Sequence, residues 1–295
     1  MSHYSGNIDN FGMDSTSLAG PLEARLEAVQ DAGFSQVMLS ASDLVGHPGG
    51  LAAALAAVRT SGLRITGFQT LRDFEGLSGQ LHDYKVDIAK SMLEMCSSLD
   101  CRLLLVQAST LRQASTDNRT LIRDLRKLAM LAIPMNIRIA YSPVASGHSA
   151  TEFGQAWDRV FEADVPNLGL GLASDTVQLF AQGMPLDELD MLDPDKVFLV
   201  QLADFLWNDP ADQAFRVFPG EGVHGQALAA LVTRLHALGY RGDYSFEVGN
   251  SDYRQTPLSS VAQRARRAAV WLGEGVLQRS VPLPNHIRLK HAASR

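Results

Sequence analysis

Short apolar runs alternate with amphipathic stretches eight times along the chain, and that rhythm restricts the fold more than any single residue does. The runs at 7–13, 36–39, 63–68, 103–106, 137–141, 168–172, 197–200 and 244–248 are too short for helices and mostly rich in branched or aromatic side chains, as buried strands are. The first of them is the weakest in pattern. Between the runs lie helical signals. Gly20-Pro21-Leu22-Glu23 opens a helix whose apolar face is Leu22, Leu26 and Val29 and which Gly33 ends. An alanine-rich stretch over 51–59 stops at Gly62, a longer helix covers about 82–98, and Leu121, Leu125, Leu128 and Leu131 space the next. Ser149-Ala150-Thr151-Glu152 has the form of a capping box for a helix through Val160. Further helical patterns fall at 177–181 and 228–238, and Thr256-Pro257 caps a last helix ending near Leu272.

Strands and helices in strict alternation imply parallel strands with crossover helices. Eight such units in 295 residues favour a closed (β/α)8 TIM barrel over an open, doubly wound sheet. A dinucleotide-binding sheet would need a glycine-rich turn straight after its first strand, and the chain has none there. The reading places the barrel at 1–273. A C-terminal arm at 274–295, with prolines and basic residues, then docks on the barrel or serves a partner subunit in a homo-oligomer.

Composition narrows the partners. A net charge of −6 argues against the basic face that nucleic acid requires, and no apolar run reaches membrane-spanning length. The N-terminus is polar and unlike a signal peptide, and two cysteines, Cys96 and Cys101, read as reduced thiols. A cytoplasmic protein with a small-molecule partner is the expectation.

In a parallel barrel, chemistry gathers at the C-terminal ends of the strands. Those ends supply Ser142 after the fifth strand, then Ala173, Ser174 and Asp175 after the sixth. Gln201 and Asp204 follow the seventh strand, and Glu247 the eighth. Gln201 and Glu247 are oxygen donors of the kind a hard divalent cation takes, yet two do not make a cage. The plainer reading pairs Glu247 with Arg216 in an ion pair. Arg72 and Arg216 follow strands and have the forked geometry that clamps carboxylates or phosphates; salt bridges to Asp73, Glu75 or Glu221 are the competing reading. Of the loop histidines His47, His82, His148 and His224, His148 is best placed for general acid/base work, because it follows a strand expected to carry a ligand. Taken singly, each is more often a solvated loop residue. The chain has no nucleophile elbow, His-Glu-x-x-His or phosphate loop.

Several longer segments carry a family likeness. They are Phe68-Gln-Thr-Leu-Arg-Asp-Phe-Glu-Gly76, Leu103-Leu-Leu-Val106, Arg138-Ile-Ala-Tyr141, Val200-Gln-Leu-Ala-Asp204, Arg216-Val-Phe-Pro-Gly-Glu-Gly222 and Gly239-Tyr-Arg-Gly-Asp-Tyr-Ser-Phe-Glu247. Over about residues 20–272 the chain resembles the xylose-isomerase-like barrels, or sugar phosphate isomerase/epimerases, and within them the bacterial 3-dehydroshikimate dehydratases. The resemblance implies a divalent metal, Mg²⁺ or Mn²⁺, on two glutamates, an aspartate and a histidine or glutamine. Gln201 and Glu247 match two of those ligand positions. The fifth-strand glutamate falls on Ser142 and the sixth-strand aspartate on Ala173; Asp175 fills the gap if that strand slips by two residues, with Gln178 then standing where the family often has histidine. The segment Met38-Leu-Ser-Ala-Ser42 also lacks the usual glutamates. Losing two anionic ligands removes most of the charge that offsets stripping the cation of water, so metal binding is expected to be weak or absent.

Two functions follow from these residues. One is a lyase or isomerase acting on a hydroxylated keto acid or sugar, with Glu247 and His148 as acid/base groups. In that reading Arg72, Arg216, Gln69 and Ser142 contact substrate, and any metal rests on Gln201, Glu247 and Asp175. The other is a non-catalytic or repurposed barrel that binds a small anionic polyol or serves as an assembly subunit. A DNA-repair role would need a basic groove and a multi-metal cluster, and neither is visible in the chain.

Overall fold

A computed structural model describes residues 8–144, 147–173, 185–206 and 216–279. Eight strands form the barrel: β1 (Phe11–Asp14), β2 (Gln36–Ser40), β3 (Arg64–Arg72), β4 (Leu103–Gln107), β5 (Arg138–Ser142), β6 (Leu168–Leu172), β7 (Val197–Leu202) and β10 (Tyr244–Phe246). Every neighbouring pair is parallel and the sheet closes on itself in the order β1-β10-β7-β6-β5-β4-β3-β2. Two short strands, β8 (Asp204–Phe205) and β9 (Arg216–Val217), pair antiparallel beyond the end of β7. Helices α1 (Leu22–Asp31), α2 (Ala41–Val45), α3 (Gly50–Ser61), α4 (Gly79–Ser98), α5 (Asn118–Ala132), α6 (Phe153–Ala163), α7 (Gly225–Leu238) and α8 (Leu258–Val270) lie between and after the strands. The expected (β/α)8 barrel is the fold.

Two cores hold it together. The larger lies between strands and helices. The smaller joins Met38, Leu103, Leu105, Ala140, Phe198 and Leu199. These come from β2, β4, β5 and β7, strands that lie on different sides of the barrel, so they meet across its axis. The interior is therefore packed with side chains, and small residues on β6 make room for them. A Cβ on Gly171 would lie 2.8 Å from Leu105 Cδ1, and one on Gly169 would lie 2.7 Å from Phe198 Cε2.

Some element limits differ from the sequence reading. β1 runs one residue further than expected and ends on Asp14, while β3 continues past Phe68 to Arg72. No capping box forms at Ser149. α6 starts at Phe153 with Glu152 as its N-cap, without a side-chain cap bond, because the Ser149 hydroxyl is drawn 2.5 Å from Glu75 instead. α8 runs on into a π-helical turn over Trp271–Val276, across the boundary expected at 273. Ser174, the helical stretch at 177–181, Asp175, Gln178 and most of the C-terminal arm lie outside the described residues. Among the described residues no helix is long and apolar enough to cross a membrane.

Candidate active site at the mouth of the barrel

Side chains alternate across a strand, so the residue two beyond an interior-facing one also faces the axis. Continuing the interior faces of Met38, Leu105 and Ala140 upward reaches Ser40, Gln107 and Ser142. On β7, Gln201 follows Leu199 and contacts the Met38 sulfur at 3.7 Å. Asp14, Gln69, Ala173 and Glu247 complete the ring at the C-terminal ends of the remaining strands. Three of its eight members are glutamines and two are carboxylic acids.

The ring is joined across its middle. Gln201 Nε2 donates to Gln69 Oε1 at 2.9 Å, and Gln69 Nε2 donates to Asp14 Oδ2 at 2.6 Å. β7 and β3 are diametrically opposite, so this amide bridge spans the mouth. It leaves Asp14, Ser40 and Glu247 on one side and Gln107, Ser142 and Ala173 on the other. Both acids are on the first side.

Asp14 is fully buried and takes four hydrogen bonds. Its Oδ1 accepts from the Thr16 N–H at 2.9 Å and the Thr16 hydroxyl at 2.6 Å; its Oδ2 accepts from Gln69 and, at 3.5 Å, from Gln201. Burial, with the nearby charge of Glu247 adding to it, pushes the Asp14 carboxyl up to about 8, against the pull of the Thr16 hydrogen bonds. Sequence reasoning misses this residue. The first strand has the poorest pattern, and its expected end at Met13 stops one position short. An acid two residues past Gly12, and so on the same face of the strand, is the available signal.

Arg216 reaches the mouth because β9 folds back along β8. Its Nη1 lies 3.2 Å from Glu247 Oε2, with the arginine side chain 4% exposed and the glutamate 27%. The plainer reading of this pair is the one the structure shows. Asp204 holds the fold-back in place and does not act in the mouth. Its carboxylate accepts from the backbone N–H groups of Phe205, Gly220, Gly222 and His224 at 2.8 to 3.1 Å.

The Arg72 register partner is Gln107, which sets it on the mouth side of β3. The acids expected as its salt-bridge partners are engaged elsewhere: Asp73 with Thr110, Glu75 with Ser109, Tyr141 and Ser149, and Glu221 with Arg264. Arg72 is exposed and makes no ion pair among the described residues. His148 is half-buried, and its backbone N–H donates to the Ser109 carbonyl at 2.8 Å.

Glu75 sits beneath these loops, fully buried. One oxygen accepts from the Ser109 N–H, the Tyr141 hydroxyl and the Ser149 hydroxyl, which ties together the segments after β3, β4 and β5. Burial raises its carboxyl above the usual range despite those bonds. Tyr141 belongs to the core between strands and helices, so Glu75 supports the mouth from behind.

A divalent cation needs converging lone pairs. Gln201 directs its NH₂ group toward Asp14, Gln69 and Met38, all four Asp14 bonds are taken from protein donors, and Glu247 faces a guanidinium. The Ser142 hydroxyl donates to the Pro143 carbonyl, and Ala173 offers a methyl. In this arrangement Gln201 Oε1 is left as a neutral donor, while the Asp14 and Glu247 carboxyls are already engaged by protein groups; Asp175 lies outside the described residues. Among the described residues no group of three or more His, Cys, Asp or Glu is placed to hold a metal.

Comparison with known proteins agrees with this architecture. A 3-dehydroshikimate dehydratase from Pseudomonas aeruginosa is 35% identical over 274 residues, covering 90% of this chain and 42% of its own length. Another from Pseudomonas putida is 34% identical over 263 residues, covering 88% and 41%. The chain thus spans less than half the length of these curated relatives. A solved fusion of a xylose isomerase-like TIM barrel with a 4-hydroxyphenylpyruvate dioxygenase superposes with TM-score 0.83 at 31% identity, over 92% of this chain and 43% of the fusion. The IOLI protein, solved with a bound zinc atom, shares the fold at TM-score 0.78 and 19% identity, over 90% of this chain and 99% of its own. The family described as xylose isomerase-like TIM barrel matches residues 26–274. By sequence and by fold, the chain belongs to the xylose isomerase-like TIM barrel family.

Proposed function

We propose that the protein is a lyase or isomerase acting on a small hydroxylated keto acid or sugar, related in chemistry to 3-dehydroshikimate dehydratase, with a weakened divalent-metal site. The observation that carries this reading is the placement of Asp14 and Glu247 together on one side of the barrel mouth, with Arg216 held against Glu247. Supporting it are the relatives named 3-dehydroshikimate dehydratase and one named inosose isomerase, 26% identical over 162 residues. The free, buried Cys96 and Cys101 accord with a cytoplasmic setting.

The residues divide the work by their chemistry. Arg72 and Arg216 supply guanidinium N–H donors at the mouth to substrate oxygens that carry or gain negative charge. Gln69, Gln201 and Ser142 present hydrogen-bond partners to hydroxyl and carbonyl oxygens. Glu247, still partly exposed beside Arg216, takes the proton adjacent to the carbonyl. Asp14, whose carboxyl is held near 8, keeps a proton at neutral pH close to that base. His148 serves as the second acid/base group, returning a proton to the leaving hydroxyl.

Incubation with 3-dehydroshikimate, with and without Mn²⁺ or Mg²⁺, tests this directly by the absorbance of protocatechuate. Turnover that falls at least a hundredfold in Glu247→Gln is the expected result. No turnover under either condition eliminates the dehydratase reading. The satisfied amide bridge favours a second reading, a barrel that binds a small anionic polyol without converting it. Thermal shift against a panel of sugar acids separates the two, since a binder is stabilised by a ligand that it leaves unchanged.

A further inference from the structure

A cleft opens beside the mouth between the segment after β1 and the segment after β10. It has a volume of about 590 Å³ and is walled by Thr16 to Ala19 on one side and by Gly249, Asn250, Ser251, Tyr253 and Arg254 on the other. A volume of that size suits a small metabolite. Each wall is tied to the mouth. Thr16 donates to Asp14, Asn250 donates to the Arg216 carbonyl at 2.9 Å, and the Ser17 hydroxyl links both walls by donating to the Phe246 carbonyl and accepting from the Val248 N–H.

Arg254 is the charged residue among those lining the cleft. It is exposed, and among the described residues its side chain forms no ion pair or hydrogen bond. Three acids around the mouth are committed elsewhere, Glu221 to Arg264, Asp14 to Thr16 and Gln69, and Glu247 to Arg216, while the exposed Asp252, two residues from Arg254, forms no ion pair with it. The neighbouring arginines differ from it. Arg264 stacks on Tyr253 and clasps Glu221, and Arg216 is buried against Glu247. An unpaired guanidinium in a polar cleft has five donors to offer to a planar or tetrahedral oxyanion. The exposed hydroxyl of Ser251 lines the same wall and adds a further donor.

We propose that this cleft is an anion subsite in which Arg254 binds the carboxylate or phosphate group of the substrate while the rest of the molecule extends toward Asp14 and Glu247. The proposal rests on the enzymatic reading above for the word substrate, but anion binding itself is measurable without turnover. It assigns Arg254 a role in recognition that is separate from Arg72 and Arg216. A ligand anchored here enters the mouth over its acidic side.

Isothermal titration of the full chain with inorganic phosphate, with shikimate as a hydroxylated carboxylate, and with neutral myo-inositol tests the subsite. Wild-type protein binds at least one of the two anions. Arg254→Gln weakens that binding tenfold or more, with myo-inositol affinity and melting temperature unchanged. Arg254→Lys recovers part of the loss. The anion that suffers identifies the source, phosphate ester or carboxylate. Undetectable binding of both anions to the wild type, or equal affinity in Arg254→Gln, overturns the proposal, as does a loss seen only in Arg72→Gln. The enzymatic reading fails separately. Anion binding that depends on Arg254 without turnover of 3-dehydroshikimate removes the dehydratase and keeps the subsite, whereas turnover indifferent to Arg254 does the reverse.

Discussion

Asp14 holds a proton in the folded protein that an ordinary carboxyl would release. Its carboxyl rises from 3.8 to about 8, so between those values the native state binds a proton that the unfolded chain does not. Stability linked to this group is complete below about pH 4 and is lost as pH rises toward 8. Each unit of such a shift is worth ~1.4 kcal/mol, so the slope is large enough to measure. Asp14→Asn abolishes the titration while keeping an oxygen for Thr16. The variant should therefore gain stability relative to wild type between about pH 5 and about pH 9, as urea denaturation at both ends of that range reports. Parallel profiles for the two proteins would contradict the burial argument. Glu247 behaves differently because it is partly exposed and faces Arg216. Replacing Arg216 with Gln removes the cation that this carboxylate faces and should lower turnover more than tenfold, read as kcat/KM.

At the scale of elements, the fold-back that delivers Arg216 depends on Asp204 and on the space beside it. A Cβ on Gly222 would overlap both Asp204 Oδ1 and the Phe205 carbonyl, so Gly222→Ala must push the turn out of place. Asp204→Ala leaves four backbone N–H groups without their acceptor and should cost roughly 3 kcal/mol. Both variants should melt earlier and expose the 216–224 segment to protease, as mass spectrometry of the first cleavage products shows. Glu75 performs a similar service for the loops after β3, β4 and β5. Glu75→Ala should speed hydrogen exchange at Ser109 and Ser149 well before global unfolding. The sequence shows these elements well and their ties poorly. Strand runs such as 168–172 are legible because period and length are local properties. The engagement of Ser149 by Glu75, across 74 residues, has no local signature, and so the capping-box pattern at Ser149 misleads. Asp204 reads as a mouth residue because its strand position is visible, while the turn it caps is not.

For the whole molecule, closure of eight parallel strands follows from the alternation alone, and membership of the family adds the expectation of a metal. The inward ring shows where the expected ligand positions stand: Ser142 and Ala173 line the neutral side, and the carboxyl of Asp14 stands on the other. Asp14 escapes the sequence reading because a closed barrel makes neighbours of its first and last strands, which no local pattern displays. Restoring acids by Ser142→Glu together with Ala173→Asp should raise Mn²⁺ affinity at least tenfold in titration calorimetry, whereas either change alone should give less. An unchanged affinity in the double variant would mean that the ungapped correspondence of these strands is wrong. The chain of amides across the barrel carries one more implication. An ionised Asp14 can only accept, so it orients the NH₂ of Gln69 toward itself and, through Gln69, that of Gln201. A protonated Asp14 can donate, which permits both amides to rotate by half a turn. The face that Gln201 shows to a bound molecule then switches from lone pair to hydrogen, so a single proton on the first strand is read out at the far end of the relay, on β7.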